Sequence, residues 1–162
     1  MDLYSFFAEH DIEYERTDHP PVYTVEEAKR LVPRLPGAKT KNLFLRDKSG
    51  NRHVLVVVGQ DKNVDLKALS KVLGLSKLGL ASPDRLKQHL GIEPGSVSML
   101  AVVNDPDRNV DLVVDRDVWK AKAFQCHPLV NTSTLVMAKA HMERFLEATG
   151  HEVQVASVPG RR

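Results

Sequence analysis

The chain is poor in the residues and runs that decide many functions at a glance. It has one cysteine, Cys126, so neither an internal disulfide nor a cysteine-built zinc site can form, the usage expected of a protein of the reducing cytoplasm. It has no apolar run approaching the roughly 20 residues of a membrane span, and no membrane partner is expected. The opening Met1-Asp2-Leu3-Tyr4 lacks a charged segment leading into an apolar core, so no signal peptide is expected either. It has no block of like charge: 23 Lys and Arg stand against 21 Asp and Glu, a formal balance of +2. That excludes a basic tail for non-specific nucleic-acid binding, and any nucleic acid must be gripped locally.

Several chemistries are also missing. There is no phosphate loop, no Gly-x-Gly-x-x-Gly after a strand and no Gly-x-Ser-x-Gly elbow. His141-Met142-Glu143 matches half of a zinc-deaminase signature, but the paired cysteines that complete such a site are absent. His10, His19, His53, His89 and His151 show no metal-ligand spacing, and the acids are scattered, so neither a metal nor a cofactor is expected.

What is present reads as one α+β domain over residues 1–162. Leu3, Phe6 and Phe7 have helical spacing over residues 2–9. Ile12-Glu13-Tyr14-Glu15 alternates like a strand, and Thr24-Val25-Glu26-Glu27 fits a capping box that starts a helix ended by Pro33 and Pro36. Leu43-Phe44-Leu45 and the run His53 to Val58, joined by a turn rich in Ser, Gly and Asn, predict a hairpin. Helices are predicted from Val64 to Leu73, closed by Gly74, and from Ser82-Pro83-Asp84 to Gly91. The runs 98–104 and 110–115 predict a second hairpin, followed by a strand at 134–137, a helix at 139–149 and a strand at 153–155. The sum is about six or seven strands in a mostly antiparallel, barrel-like sheet with surrounding helices.

Three polar stretches interrupt this apolar framework. Lys41 and Asn42 stand at the mouth of the first hairpin strand, where an ammonium and an amide suit a ligand with hydroxyls, a carbonyl and a nearby phosphate. Taken alone, Lys41 fits a solvated strand end and Asn42 a turn residue equally well. Gly95-Ser96-Val97-Ser98-Met99 places a glycine after Pro94, freeing the chain to expose backbone amides, or simply forming a turn. His127-Pro128-Leu129-Val130-Asn131-Thr132-Ser133 holds a histidine extended before proline, followed by hydroxyl and amide side chains. A satisfied structural histidine would look the same.

The order of these stretches is more specific than any one of them. Asp18-His19-Pro20-Pro21-Val22, Thr40-Lys41-Asn42-Leu43-Phe44-Leu45, Pro94-Gly95-Ser96-Val97-Ser98, Val103-Asn104-Asp105 and His127-Pro128-Leu129-Val130-Asn131 follow one another over nearly the whole chain. In this the sequence resembles the YbaK and prolyl-tRNA-synthetase-associated editing family, above all its freestanding branch that deacylates alanine mischarged onto proline tRNA. Two departures, Met99 where related synthetase-borne domains have proline and Cys126 in place of an aromatic residue, alter the pocket rather than the reaction. The resemblance implies a trans-editing aminoacyl-tRNA hydrolase whose partner is the acceptor end of proline tRNA, with prolyl-tRNA synthetase as a possible second partner. It gives Lys41 the sugar and phosphate region of the terminal adenosine, and has the attacking water activated with help from the substrate's ribose hydroxyl. Asn42 would then bond the amino or carbonyl group, the amides of Gly95 to Ser98 the oxyanion, and His127 would orient substrate or water, with Asn131 in the substrate-binding set.

Physical reasoning supports such a task independently. A pocket shaped for proline hardly rejects the smaller alanine, since each missing methylene gives about 1–3 kcal/mol, so a second sieve is needed. Pro20, Pro21, Val22 and Met99 are its expected apolar walls. An activated ester needs little acid-base power, and positioning can carry most of the rate. Two alternatives fit the same residues. The same hydrolase could act on serine, threonine or cysteine through the hydroxyls of Ser96, Ser98, Thr132 or Ser133, or the fold could bind tRNA or a partner without hydrolysis.

Overall fold

The computed structural model describes residues 2–161. Its elements are α1 (Leu3–Glu9), β1 (Glu15–Asp18), α2 (Val25–Leu31), β2 (Thr40–Arg46), β3 (His53–Gly59), α3 (Leu66–Leu73), β4 (Gly79–Leu80), α4 (Pro83–Leu90), β5 (Val110–Asp115), α5 (Arg116–Trp119), β6 (Ala123–Cys126), β7 (Ser133–Ala138), α6 (Lys139–Thr149) and β8 (Val153–Ala156). Local chemistry sets the helix ends. Asp2, Thr24, Asp65 and Ser82 each accept an amide of the first turn at the start of α1, α2, α3 and α4. Gly74, Gly91 and Gly150 close α3, α4 and α6 in the left-handed conformation that glycine adopts without penalty.

The fold is mixed α+β, with strands in two separate sheets rather than a closed barrel. One has the order β1-β7-β6 and is antiparallel throughout; the other has the order β4-β2-β3-β5-β8. In the larger sheet β2 and β3 form the expected hairpin, pairing Lys41 with Val58 and Asn42 with Val57. The Asp47 carboxylate pins its turn by accepting the amides of Asn51 and Arg52 at 3.0 and 3.1 Å. β5 runs parallel to β3 and to β8. The second expected hairpin does not form, because Met99–Asn104 is a 3₁₀ helix started by Ser98, whose Oγ accepts the Leu100 amide at 3.2 Å. All five residues from Met99 to Val103 are buried, and an apolar run that short has no period to separate strand from helix. The first strand begins at Glu15 rather than Ile12, whose side chain is buried beside α1.

The larger sheet is covered on both faces, which explains the unbroken apolar run from Val54 to Val58. One face packs Phe44, Leu55, Val57, Leu112 and Val114 against Phe124, Leu135 and Met137 of the smaller sheet and the buried faces of α1, α4 and α6. The other packs Leu45, Val54, Val56 and Val58 against Leu69 of α3. At the start of β2 the sheets are tied by Ala38 and Thr40. The Ala38 amide donates to Ala123 O at 2.9 Å, its carbonyl accepts the Gln125 amide at 2.9 Å, and Thr40 Oγ1 donates to Gln125 O at 2.9 Å. Strand alternation then puts Asn42 on the same face as Phe44, at the open end of the gap between the sheets. Among the described residues no helix is long and apolar enough to cross a membrane.

Candidate functional site

Two loops frame that open end, and the hydrogen bonds between them fix their shape. His19 donates its backbone amide to Thr132 O at 2.9 Å, and Val22 donates to Asn131 O at 3.3 Å. Asn131 Nδ2 returns a bond to Val22 O at 3.1 Å, and Ser133 Oγ donates to Asp18 Oδ1 at 2.6 Å. The buried His19 ring locks the near side: Nδ1 is 2.8 Å from Pro20 O and Nε2 is 2.8 Å from Thr134 Oγ1. Since a carbonyl can only accept, Nδ1 carries a proton and donates it to Pro20 O, while Nε2 is left to pair with the threonine hydroxyl. Leu129 sits at φ 67°, a left-handed conformation that costs a non-glycine residue about 1–2 kcal/mol and is held by this cross-bracing.

Between the loops, α2 and the start of β2 lies a cleft of two chambers that share Ala28, Thr40, Asn42, Gln60 and His127. The inner chamber, about 60 Å³, has Val32, Pro33 and Cys126 as further apolar walls, with Gln125, Thr134, Lys29 and Lys39 around them. The outer one, about 240 Å³, is bounded by Val22, Tyr23, Val25, Lys41, Pro94, Gly95 and Val97.

The chemistry of the cleft is that of unspent donors and acceptors. Asn42 Oδ1 is the one buried side-chain polar atom, among the described residues, without a hydrogen-bond partner. Such an atom costs about 1–3 kcal/mol, which a ligand donor would recover. No ion pair engages Lys41 among the described residues, while neighbouring Lys29 holds Asp61 at 2.8 Å. Lys29 by its hydrogen bond, then Lys39 and Lys41 through their charge, keep the Asp61 carboxyl below its usual range, so three cations crowd one acid at the rim. Burial holds His127 below the ordinary histidine range, and its Nδ1 lies 3.5 Å from Ser133 O, which leaves Nε2 as the acceptor of a neutral ring. Burial pushes the Cys126 thiol up to about 12, so it is protonated at neutral pH and no nucleophile. Among the described residues no three His, Cys, Asp or Glu side chains converge as a metal site requires.

Of the residues singled out in the sequence, the cleft brings together Lys41, Asn42, His127, Val22, Gly95 and Val97. Asn131 stands behind them, bracing Val22. The other expected walls lie elsewhere. Met99 is 1% exposed within the core shared by the sheets, because the 3₁₀ turn carries it inward. Ser98 caps that turn, and Ser96 is buried, its amide spent on Glu93 O at 2.9 Å. Pro20 and Pro21 are exposed, and Pro20 contributes the carbonyl that orients His19. The apolar walls are instead Ala28, Val32, Pro33 and Cys126. Of these, sequence reasoning connected only Cys126 with the pocket; it missed Ala28, Val32 and Pro33, together with Tyr23, Lys29, Lys39 and Gln60. The capping box at Thr24 was the available signal for α2, but nothing in the sequence says which face of that helix closes a cleft.

Comparison with known proteins agrees with this architecture. The aminoacyl-tRNA editing domain family matches residues 19–145. The chain is 37% identical to the prolyl-tRNA editing protein ProX of Acetoanaerobium sticklandii over 140 residues, covering 86% of this chain and 85% of that one. It is 38% identical to prolyl-tRNA synthetase associated domain-containing protein 1 of Danio rerio over 158 residues, covering 96% and 85%. A crystal structure of a candidate trans-editing enzyme for prolyl tRNA synthetase superposes with a TM-score of 0.68 at 19% identity, covering 99% of this chain and 93% of that one, a likeness of fold. With this match across most of its length, the chain belongs to the aminoacyl-tRNA editing domain family.

Proposed function

We propose that the protein is a trans-acting deacylase that hydrolyses the ester of alanine mischarged onto proline tRNA. The observation that carries this is the unpartnered, buried Oδ1 of Asn42, a residue that lines both chambers and offers an unspent acceptor for the substrate's α-ammonium. With that group held there, the alanine methyl enters the inner chamber and the ribose lies in the outer one beside Lys41. Water attacks the ester carbonyl, the tetrahedral oxyanion is met by backbone amides at Gly95 and Val97, and the ribose oxygen leaves with a proton. The products are alanine and a tRNA with its terminal hydroxyls restored. Neutral His127 orients the water or the ester through Nε2, and the substrate's ribose hydroxyl assists the attack. Lys41 sits where the terminal sugar and phosphate would pass.

The size of the inner chamber supports discrimination by exclusion. About 60 Å³ bounded by Ala28, Val32, Pro33 and Cys126 suits a methyl group, and overfilling a packed site costs about 1–3 kcal/mol, which spares the prolyl ester. A seryl ester is the second reading, favoured by Thr40 and Gln60 in the same chamber, which can meet a hydroxyl. In this reading prolyl-tRNA synthetase is the source of the mischarged tRNA, which the names of the relatives, a prolyl-tRNA editing protein and a prolyl-tRNA synthetase associated domain-containing protein, support. The test is release of amino acid from proline tRNA charged separately with alanine, serine, threonine, cysteine and proline. Rapid release of alanine with proline spared is expected. Serine released as fast as alanine would move the specificity to the second reading, and binding of every tRNA with release from none would make the protein a binding module.

A further inference from the structure

We propose that Tyr23 is the platform on which the terminal adenine of the aminoacylated tRNA stacks. This deepens the deacylase reading and rests on it for the identity of the ligand. Tyr23 is 72% exposed, the most exposed large hydrophobic side chain among the described residues, yet its ring is not loose in solvent. It lies against Gly95 so closely that a Cβ there would meet Tyr23 Cδ1 at 3.1 Å and Cε1 at 3.3 Å. The Tyr23 amide donates to Glu27 Oε1 at 3.2 Å, which fixes the backbone immediately before α2. The Cδ1–Cε1 edge of the ring is thus held against the Gly95 backbone while most of the ring stays open, the combination of a fixed and an accessible ring that a stacking surface needs and that a core aromatic lacks.

Its position immediately before the Thr24 cap would suit a hydrophobic staple onto Ala28, one turn into α2, but a staple buries its ring. Position in the cleft gives the better account. Tyr23 bounds the outer chamber together with Lys41, while Asn42 and His127 bound both chambers. An ester held at Asn42 with its side chain inward has its ribose in the outer chamber and its base at the mouth, where Tyr23 stands. Lys41 on the same outer chamber provides charge for the adjoining phosphate, and Lys39 and Lys29 continue the cationic track along the inner chamber. An aromatic ring beside a cationic track is how unpaired nucleotides are held, and all tRNAs share a terminal adenosine, so the contact serves affinity rather than choice of tRNA.

The test is a cycle with two alanylated minihelices, one ending in adenosine and one whose terminal ribose carries no base, against wild type, Tyr23→Ala and Tyr23→Phe. For wild type, loss of the base should raise KM about 5- to 150-fold. Tyr23→Ala should raise KM by the same factor on the normal minihelix and suffer no further loss on the baseless one, while Tyr23→Phe stays near wild type. A wild-type KM for Tyr23→Ala, or a full penalty for base removal in that variant, would overturn the assignment. If wild type released no alanine from either minihelix, the deacylase reading would fall. The same cycle read as binding of uncharged minihelices by fluorescence anisotropy would then decide the stacking by the same pattern of losses.

Discussion

At the scale of single residues, the central pair is Asn42 and Lys41. Removing an unpaired buried acceptor relieves a cost rather than a bond, so Asn42→Ala should melt no lower than wild type by more than about 1 kcal/mol. Its deacylation rate should nonetheless fall about a hundredfold, as should that of Lys41→Ala, equivalent to about 2.7 kcal/mol in the barrier. Thermal melts beside single-turnover rates separate the two effects. Met99 offers the opposite contrast. As a core side chain, its truncation to alanine should cost about 2–5 kcal/mol of stability and leave the ranking of substrates unchanged. Cys126→Ala should keep the chemistry, since the protonated thiol does none of it, and admit larger side chains such as serine before proline. Loss of activity with the inner chamber merely widened would return Cys126 to the reaction.

At the scale of elements, α2 is the weakest wall of the cleft. None of its seven residues is buried, and its start depends on Thr24 Oγ1 accepting the Glu27 amide at 3.0 Å. Thr24→Ala should cost α2 about 1 kcal/mol. Because the helix adds little to the core, this should show as faster amide exchange over 25–31 and a raised KM, with global melting unchanged. Exchange unchanged in that segment would mean that tertiary contacts, not the cap, hold the helix. The helical spacing of Leu3, Phe6 and Phe7 is why α1 was legible in the sequence, and caps or closing glycines are why α2, α3, α4 and α6 were. β4 was not, since two residues carry no pattern and its place is set by the Ala81 amide reaching Phe44 O. β6 hides as well: Phe124 and Cys126 alternate inward over only four residues before the His127 loop begins. In the cleft, Lys41, Asn42 and His127 stand out in the sequence as polar residues at the ends of apolar strands. Lys29 and Tyr23 do not, because their nearness to Asn42 arises only when α2 folds across the open end between the sheets, and Gln60 does not because only the register of the β2–β3 hairpin sets it beside Lys39, next to the start of β2.

At the scale of the whole molecule, pH links stability to the buried histidines. His53, by burial and then by the charges of His89 and Arg85, and His127, by burial, both lie below 6.5 in the folded state. The unfolded chain therefore takes up protons first as pH falls through about 6.5. Their contribution to stability is complete above that value and is lost below it, until the folded-state values are passed. Urea midpoints should be flat from pH 8 to 7 and fall from 6.5 to 5, and the fall should lessen in His53→Gln. Asp18, through Ser133 and Arg16, and Asp47, through the Arg52 amide, lie below 3.8, so a second loss is expected only in stronger acid. The two-chambered cleft has one decisive assay, the single-turnover release of amino acid from alanyl and prolyl esters of the same proline tRNA by wild type and Lys41→Ala. Fast release of alanine, lost in Lys41→Ala, with the prolyl ester left intact is the predicted result; equal release of both, or full activity in Lys41→Ala with a normal melting curve, would contradict it.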